Sequence, residues 1–234
     1  MTGPRGADPT NPGNPVPANR TAPEDRGAGG DHLAAPLGSS GSGRLRFTNG
    51  ACRAVTRADP HLRGLYRARF GDRMPKVAVR AGVVTIRYPR VPSRDWLDDG
   101  SEPPAEIELN ARVPWDIEVR GGASRLLADL RGLRLRSLSV DGGASRLEVV
   151  LPAPSGSVTV VILGGASNVA IHRPAGAAVR LRLDGGATNL DFDERHIGAA
   201  GGELDLRSLD YDGATECYGI TVTGGANNFS IDSR

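Results

Sequence analysis

The chain has 234 residues, a formal net charge of +2, 38% hydrophobic and 24% charged residues. A charge excess this small is too mild to imply a nucleic-acid partner, which needs a clustered basic face, and no apolar run approaches the roughly 18–20 residues of a membrane-spanning helix. Thirty-two glycines and 17 prolines against 4% aromatics disfavour a helical bundle and point to many small β contacts.

Residues 1–43 are rich in Pro, Gly, Asn and Asp and poor in branched or aromatic side chains. Such a segment cannot bury enough apolar surface to offset chain entropy, which predicts a disordered N-terminal tail. Its first twenty residues lack the apolar stretch of a secretory leader, so a cytoplasmic location is expected.

From residue 44 to the C-terminus, 234, the pattern predicts a single all-β domain. Its first part, 44–105, reads as an irregular N-terminal cap region. One short helix is expected over His61–Phe70, where Leu62, Leu65, Tyr66 and Phe70 share a stripe, followed by a strand within Arg80–Tyr88. Asn49-Gly50-Ala51-Cys52 reads as a degenerate first copy of the motif that follows.

Residues 106–234 carry regular coils. GGAS begins at Gly121, Gly142 and Gly164, GGAT at Gly185 and GGAN at Gly224, with steps of 21, 22, 21 and 39. A repeat that keeps its corner residues predicts a two-sheet β-solenoid with coils of about 21 residues, one corner per coil. A β-sandwich of hairpins is the fallback, since period alone does not fix strand direction.

Each coil reads as strand, turn, strand, corner. Inward positions after the corner include Leu126, Leu147, Val169, Leu190 and Phe229; before it they include Val140, Ile162, Leu183 and Val222. The long last step contains an insertion at 194–215, a candidate partner-binding loop. The final coil, Gly224–Asp232, is expected at the open end of the stack.

The structural corner residues are Gly121, Gly122 and Ser124; Gly142, Gly143 and Ser145; Gly164, Gly165 and Ser167; Gly185, Gly186 and Thr188; and Gly224, Gly225 and Asn227. Glycine permits φ > 0 where a Cβ would clash, so Gly165→Val is expected to disrupt folding. The small polar residue two places on should form a hydrogen-bonding column, with Arg125, Arg146, Asn168, Asn189 and Asn228 beside it.

The string GGASRLEVVLPAPSGSVTVVILGGASNVAIHRPAGAAVRLRLDGGATNLDFD resembles the toast-rack or putative adhesin type of β-solenoid domain, to which the C-terminal domain of LiaF-like envelope-stress proteins belongs. The resemblance spans roughly 44–232. It implies a non-catalytic interaction or sensing module linked to the cell envelope, and it brings no functional residues with it.

Common motifs for nucleotide binding, acyl transfer and metal hydrolysis are absent, so no catalytic residue, metal site or cofactor is expected. Cys52 and Cys217 have no partner at metal-ligand spacing and read as free thiols. His172 should face solvent by alternation. Outward carboxylates Asp129, Glu148, Asp191, Asp193 and Asp232 leave a polysaccharide-active enzyme as the lesser alternative. Arg134, Arg136, Arg180 and Arg182 alternate with inward Leu and Val, and are the possible partner face. The reading that follows is an interaction or scaffold module, an adaptor in envelope-stress signalling with an unidentified protein partner, no nucleic acid and no membrane insertion. Self-association through end-to-end stacking is the main alternative.

Overall fold

The computed structural model describes residues 25–26, 32–37, 41–71, 74–89 and 104–234. Its first strands are β1 (Asp25–Arg26), β2 (His32–Ala35), β3 (Gly43–Thr48), β4 (Ala51–Asp59), β5 (Tyr66–Arg69), β6 (Lys76–Arg80) and β7 (Val83–Arg87). Then come β8 (Ala105–Asn110), β9 (Pro114–Arg120), β10 (Ala123–Asp129), β11 (Arg134–Asp141), β12 (Ala144–Val150), β13 (Ser157–Leu163) and β14 (Ala166–Arg173). The last are β15 (Ala178–Leu183), β16 (Ala187–Phe192), β17 (Arg195–Ala200), β18 (Leu204–Arg207), β19 (Cys217–Val222) and β20 (Ala226–Ser233).

These strands form two sheets. Sheet A runs β1-β2-β5-β8-β4-β10-β12-β14-β20-β16-β17, and sheet B, in the same direction, runs β6-β7-β3-β9-β11-β13-β19-β15-β18. Through the middle of the stack the chain passes from a sheet B strand, around a glycine corner, to a sheet A strand. Neighbouring coils pair in parallel and in register: Ala123 lies level with Ala144, Ala144 with Ala166, Ala166 with Ala226 and Ala226 with Ala187. Asn49–Cys52 is the first copy of the motif, since Ala51 and Cys52 pair with Ala123 and Ser124.

Alternation of side chains explains the core. Leu126, Leu147, Val169, Phe229 and Leu190 meet Val119, Val140, Ile162, Val222 and Leu183 between the sheets, all essentially inaccessible. Burying each such side chain contributes about 1.5–3 kcal/mol. Two large buried aromatic residues with polar handles, Trp115 and Tyr218, are satisfied inside. The Trp115 indole N–H donates to the Asn110 carbonyl at 2.9 Å, and the Tyr218 hydroxyl donates to the Pro152 carbonyl.

Both ends of the stack are interleaved. Coil β3–β4 lies between β9–β10 and the later pair β7–β8. Coil β19–β20 lies between β13–β14 and the earlier pair β15–β16. Antiparallel strands then close each end: β5 on β8 and β6 on β7 at one, β17 on β16 and β18 on β15 at the other.

Several expectations are corrected here. The last coil is not at an open end: β20 is hydrogen-bonded on both sides, which removes the basis for end-to-end growth from it. The insertion 194–215 is the closing device itself, carrying β17, β18 and a short 3-10 turn at Tyr211–Gly213. The region 44–105 holds a complete regular coil, β3–β4, in addition to closing strands. Within the expected tail, Asp25–Arg26 and His32–Ala35 form strands, with β2 pairing on β5; the rest of 1–31 lies outside the described residues.

The helix expected over His61–Phe70 is a turn followed by β5. Tyr66, Ala68 and Phe70 are buried while Arg67 and Arg69 are exposed, so the period of two overrides the weaker stripe of 3.6. The Asn110 amide, itself buried, donates to the carbonyls of Leu62 and Gly64 at 2.9 and 2.7 Å, and Leu65 N–H donates to Ala35. Those carbonyls and that N–H are therefore committed outside any helix. Gly64 also sits so close to Ala35 that an added Cβ would lie 2.5 Å from its carbonyl oxygen.

Candidate functional site

The glycine corners are the most regular feature of the surface. Gly121, Gly122, Gly142, Gly143, Gly164 and Gly186 have φ between +76° and +122°, the region that favours glycine. Gly165, Gly185, Gly224 and Gly225 do not adopt positive φ. At Gly185 and Gly224 the demand is close approach instead: an added Cβ would lie 2.5 Å from Gly225 N and 2.7 Å from Gly164 C. Gly165 is the exception, since its added Cβ would meet only Gly225 O at 3.6 Å. Gly165→Val therefore tests the corner poorly, and Gly142 tests it well.

The second constraint lies just past the corner glycines. Arg53, Arg125, Arg146, Asn168, Asn228 and Asn189 occupy equivalent positions on β4, β10, β12, β14, β20 and β16, each with φ of 50–55°. Every one of these coils thus makes a left-handed kink at a non-glycine residue. The asparagines carried the signal in the sequence, because Asn tolerates this region better than most residues.

Hydrogen bonds run down this column at one end. The Asn189 amide donates to Asn228 Oδ1 at 2.6 Å, Asn228 to Asn168 Oδ1 at 3.0 Å, and Asn168 to Ser167 Oγ at 3.1 Å. The ladder expected of the Ser124, Ser145, Ser167, Thr188 and Asn227 column is found one residue further on. A groove of about 310 Å³ follows the corners on the other half of the stack, lined by Gly121, Gly122, Ser124, Gly142, Gly143 and Ser145 among others.

On the outer face of sheet B, the four arginines expected as a partner face are engaged. Arg134 donates to the Arg112 carbonyl at 2.7 Å, Arg136 pairs with Asp116, Arg180 Nε donates to Asp205 at 2.9 Å, and Arg182 donates to Glu203 at 2.7 Å. Arg46 and Arg120 both donate to Glu118 at 2.6 Å. Burial alone would raise the Asp116 carboxyl, but hydrogen bonds from Ser137 and Arg136 hold it below its ordinary range. The same contest, won by Arg46 and Arg120, lowers Glu118. Asp205 is lowered by its hydrogen bond with Arg180.

Sheet A carboxylates are held in the same way. Asp129 pairs with Arg131 at 2.7 Å, Asp191 with His196 at 2.7 Å and Asp193 with Arg173 at 2.6 Å. Asp232 meets His172 Nδ1 at 2.6 Å, with Glu148 3.7 Å from Nε2. His172 is buried, not solvent-facing, under these two carboxylates. Arg173, missed in the sequence, points inward at the end of the core, where it also donates to the Ala177 carbonyl at 2.8 Å. Cys52 and Cys217 are free thiols. Among the described residues no three His, Cys, Asp or Glu side chains gather into a metal-binding group, and no helix is long and apolar enough to cross a membrane.

Residues 74–172 match the family model described as the N-terminal domain of toast_rack, DUF2154. The chain is also similar to the crystal structure of a putative cell adhesion protein from Clostridium sporogenes ATCC 15579, with a TM-score of 0.64 and 15% sequence identity. That likeness covers 87% of this chain and 98% of the other and establishes a shared fold. No curated protein matches the sequence significantly.

Proposed function

We propose that this chain, which carries a toast-rack-like domain, is a non-catalytic two-sheet β-solenoid that serves as an interaction or scaffold module at the cell envelope. Its role would be that of an adaptor in envelope-stress signalling, with a protein partner. Parallel in-register pairing around glycine corners supports the solenoid reading.

The observation that carries the non-catalytic reading is the engagement of the candidate acids. Asp129, Asp191, Asp193 and Asp232 each contact a basic side chain within 2.7 Å. A glycosidase needs one carboxyl group held as an acid and another free to act as base or nucleophile. Here the pairing favours fixed carboxylates, of which Asp191 and Asp232 tie neighbouring strands together.

The test is to tag the protein in its native host and identify what co-purifies, with soluble and membrane fractions kept apart. Specific enrichment of an envelope sensor or kinase is expected. A polysaccharide-hydrolysing activity lost in the Asp191→Ala, Asp193→Ala variant would overturn the reading.

A further inference from the structure

The left-handed column divides the stack. Asn168, Asn228 and Asn189 share one amide chain, whereas the equivalent positions on β10 and β12 are Arg125 and Arg146. Both arginines are exposed, and neither makes a hydrogen bond or ion pair with any described residue. Strand spacing puts their backbones about 4.8 Å apart, where like charges oppose each other unfavourably.

Arginine is also a poor choice for this backbone. At φ of 54° asparagine costs less, and three coils of the same stack use it. Two arginines that strain locally, repel each other and find no carboxylate among the described residues stand out against the paired arginines of sheet B. A cost of this kind retained at a surface position points to a ligand.

The surroundings define its chemistry. The groove beside the column presents Ser124 and Ser145, and the carbonyls of Gly121 and Gly142 accept no backbone hydrogen bond from the described residues. Carbonyl acceptors and serine hydroxyls suit a hydroxyl-rich ligand, and planar guanidinium groups suit carboxylates. The groove is lined by glycine, alanine and serine without an aromatic side chain among the described residues, so it lacks the stacking platform that single-stranded nucleic acids use. We propose that Arg125 and Arg146, with this groove, bind a linear polysaccharide bearing carboxylates, a polyuronate. This deepens the reading of the protein as an interaction module and rests on it.

The test is calorimetric titration of the full chain with polygalacturonate oligosaccharides, with neutral dextran and single-stranded DNA as comparisons. The wild type should bind polygalacturonate, more weakly as salt rises, and dextran and DNA poorly. Replacing both arginines, Arg125→Asn and Arg146→Asn, copies the residue of β14, β20 and β16 and should keep or raise the melting temperature. That variant should lose about two- to thirtyfold in affinity, the scale of two exposed ion pairs, while Arg180→Ala with Arg182→Ala binds as wild type. No polygalacturonate binding by the wild type, unchanged binding by the asparagine variant, or equal or tighter binding of dextran or DNA would overturn the proposal. Those outcomes leave the co-purification result untouched, and a failure there leaves this titration readable.

Discussion

The middle of the stack and its two ends are built from the same coil but held by different rules. From β9 to β14 each coil follows the last in sequence and in space, so level positions such as Ala123, Ala144 and Ala166 are a single repeat apart along the chain. At the ends this proximity is lost. Ala166 lies level with Ala226, with the whole of coil β15–β16 and the closing segment between them in sequence, and the order along the chain no longer gives the order in the sheet. A local repeat can specify the middle, whereas the ends depend on contacts that form only when distant segments meet.

The largest test removes the coil inserted at one end. Deleting residues 217–234 withdraws the strands between β14 and β16 and between β13 and β15. Loss of cooperative folding is expected, read as loss of the thermal transition by circular dichroism. A truncated chain that still melted cooperatively near the wild-type temperature would show the ends to be dispensable.

Next comes a single side chain in the middle. Gly142→Val places a Cβ 2.8 Å from Gly122 N at φ of +104°, and should cost about 3 kcal/mol or more in denaturant unfolding. Gly165→Val, with ordinary contacts and no positive φ, should cost less than about 1 kcal/mol. Equal losses at the two sites would mean that the corner geometry is not what the glycines serve.

A smaller effect is expected from the charges on the outer faces. Asp116 accepts from Ser137 at 2.9 Å and pairs with both Arg136 and Arg44, so Asp116→Asn should cost about 1–2 kcal/mol in the same unfolding measurement. Asp191→Asn, at an exposed pair with His196, should cost at most about 0.5 kcal/mol.

The smallest effect is a pH dependence. Asp116 and Glu118 have lowered values in the folded chain, so they contribute stability that is fully present above the unfolded carboxylate range, roughly pH 4–5. It is lost as pH falls through their folded values. Arg136→Ala should flatten this acid limb in denaturant melts between neutral and acid pH; an unchanged limb would mean that the pair carries none of it.

Much of the middle was legible in the sequence because its information is local. Alternation identified Leu126, Leu147, Val169 and Val140 as inward, and each is buried. The repeated Gly-Gly-Ala identified the corner. Which glycine bears the strain was not legible, because Gly165 and Gly164 differ only in backbone angles set by neighbouring coils. The interleaved ends were hidden for a stronger reason: the long step from Gly185 to Gly224 reads the same whether the final coil caps the stack or inserts within it. The expected basic face was half legible. Alternation placed Arg180 and Arg182 outward, but their partners Asp205 and Glu203 belong to the closing segment, whose position no periodic argument supplies. Arg125 and Arg146 were visible as a column, and only the fold showed them without carboxylates among the described residues.

The insertion of β19–β20 between two earlier coils also bears on synthesis. When a nascent chain has emerged only as far as Arg207, coils β13–β14 and β15–β16 are both complete, and each exposes a parallel edge of similar Val, Leu and Ala pattern. They can pair with each other in an arrangement that the finished protein never uses, a trap of the kind that slows the folding of larger β proteins. Strands β19 and β20 reach their place only by entering between those two coils, so the native strand order is completed after both of them have been made.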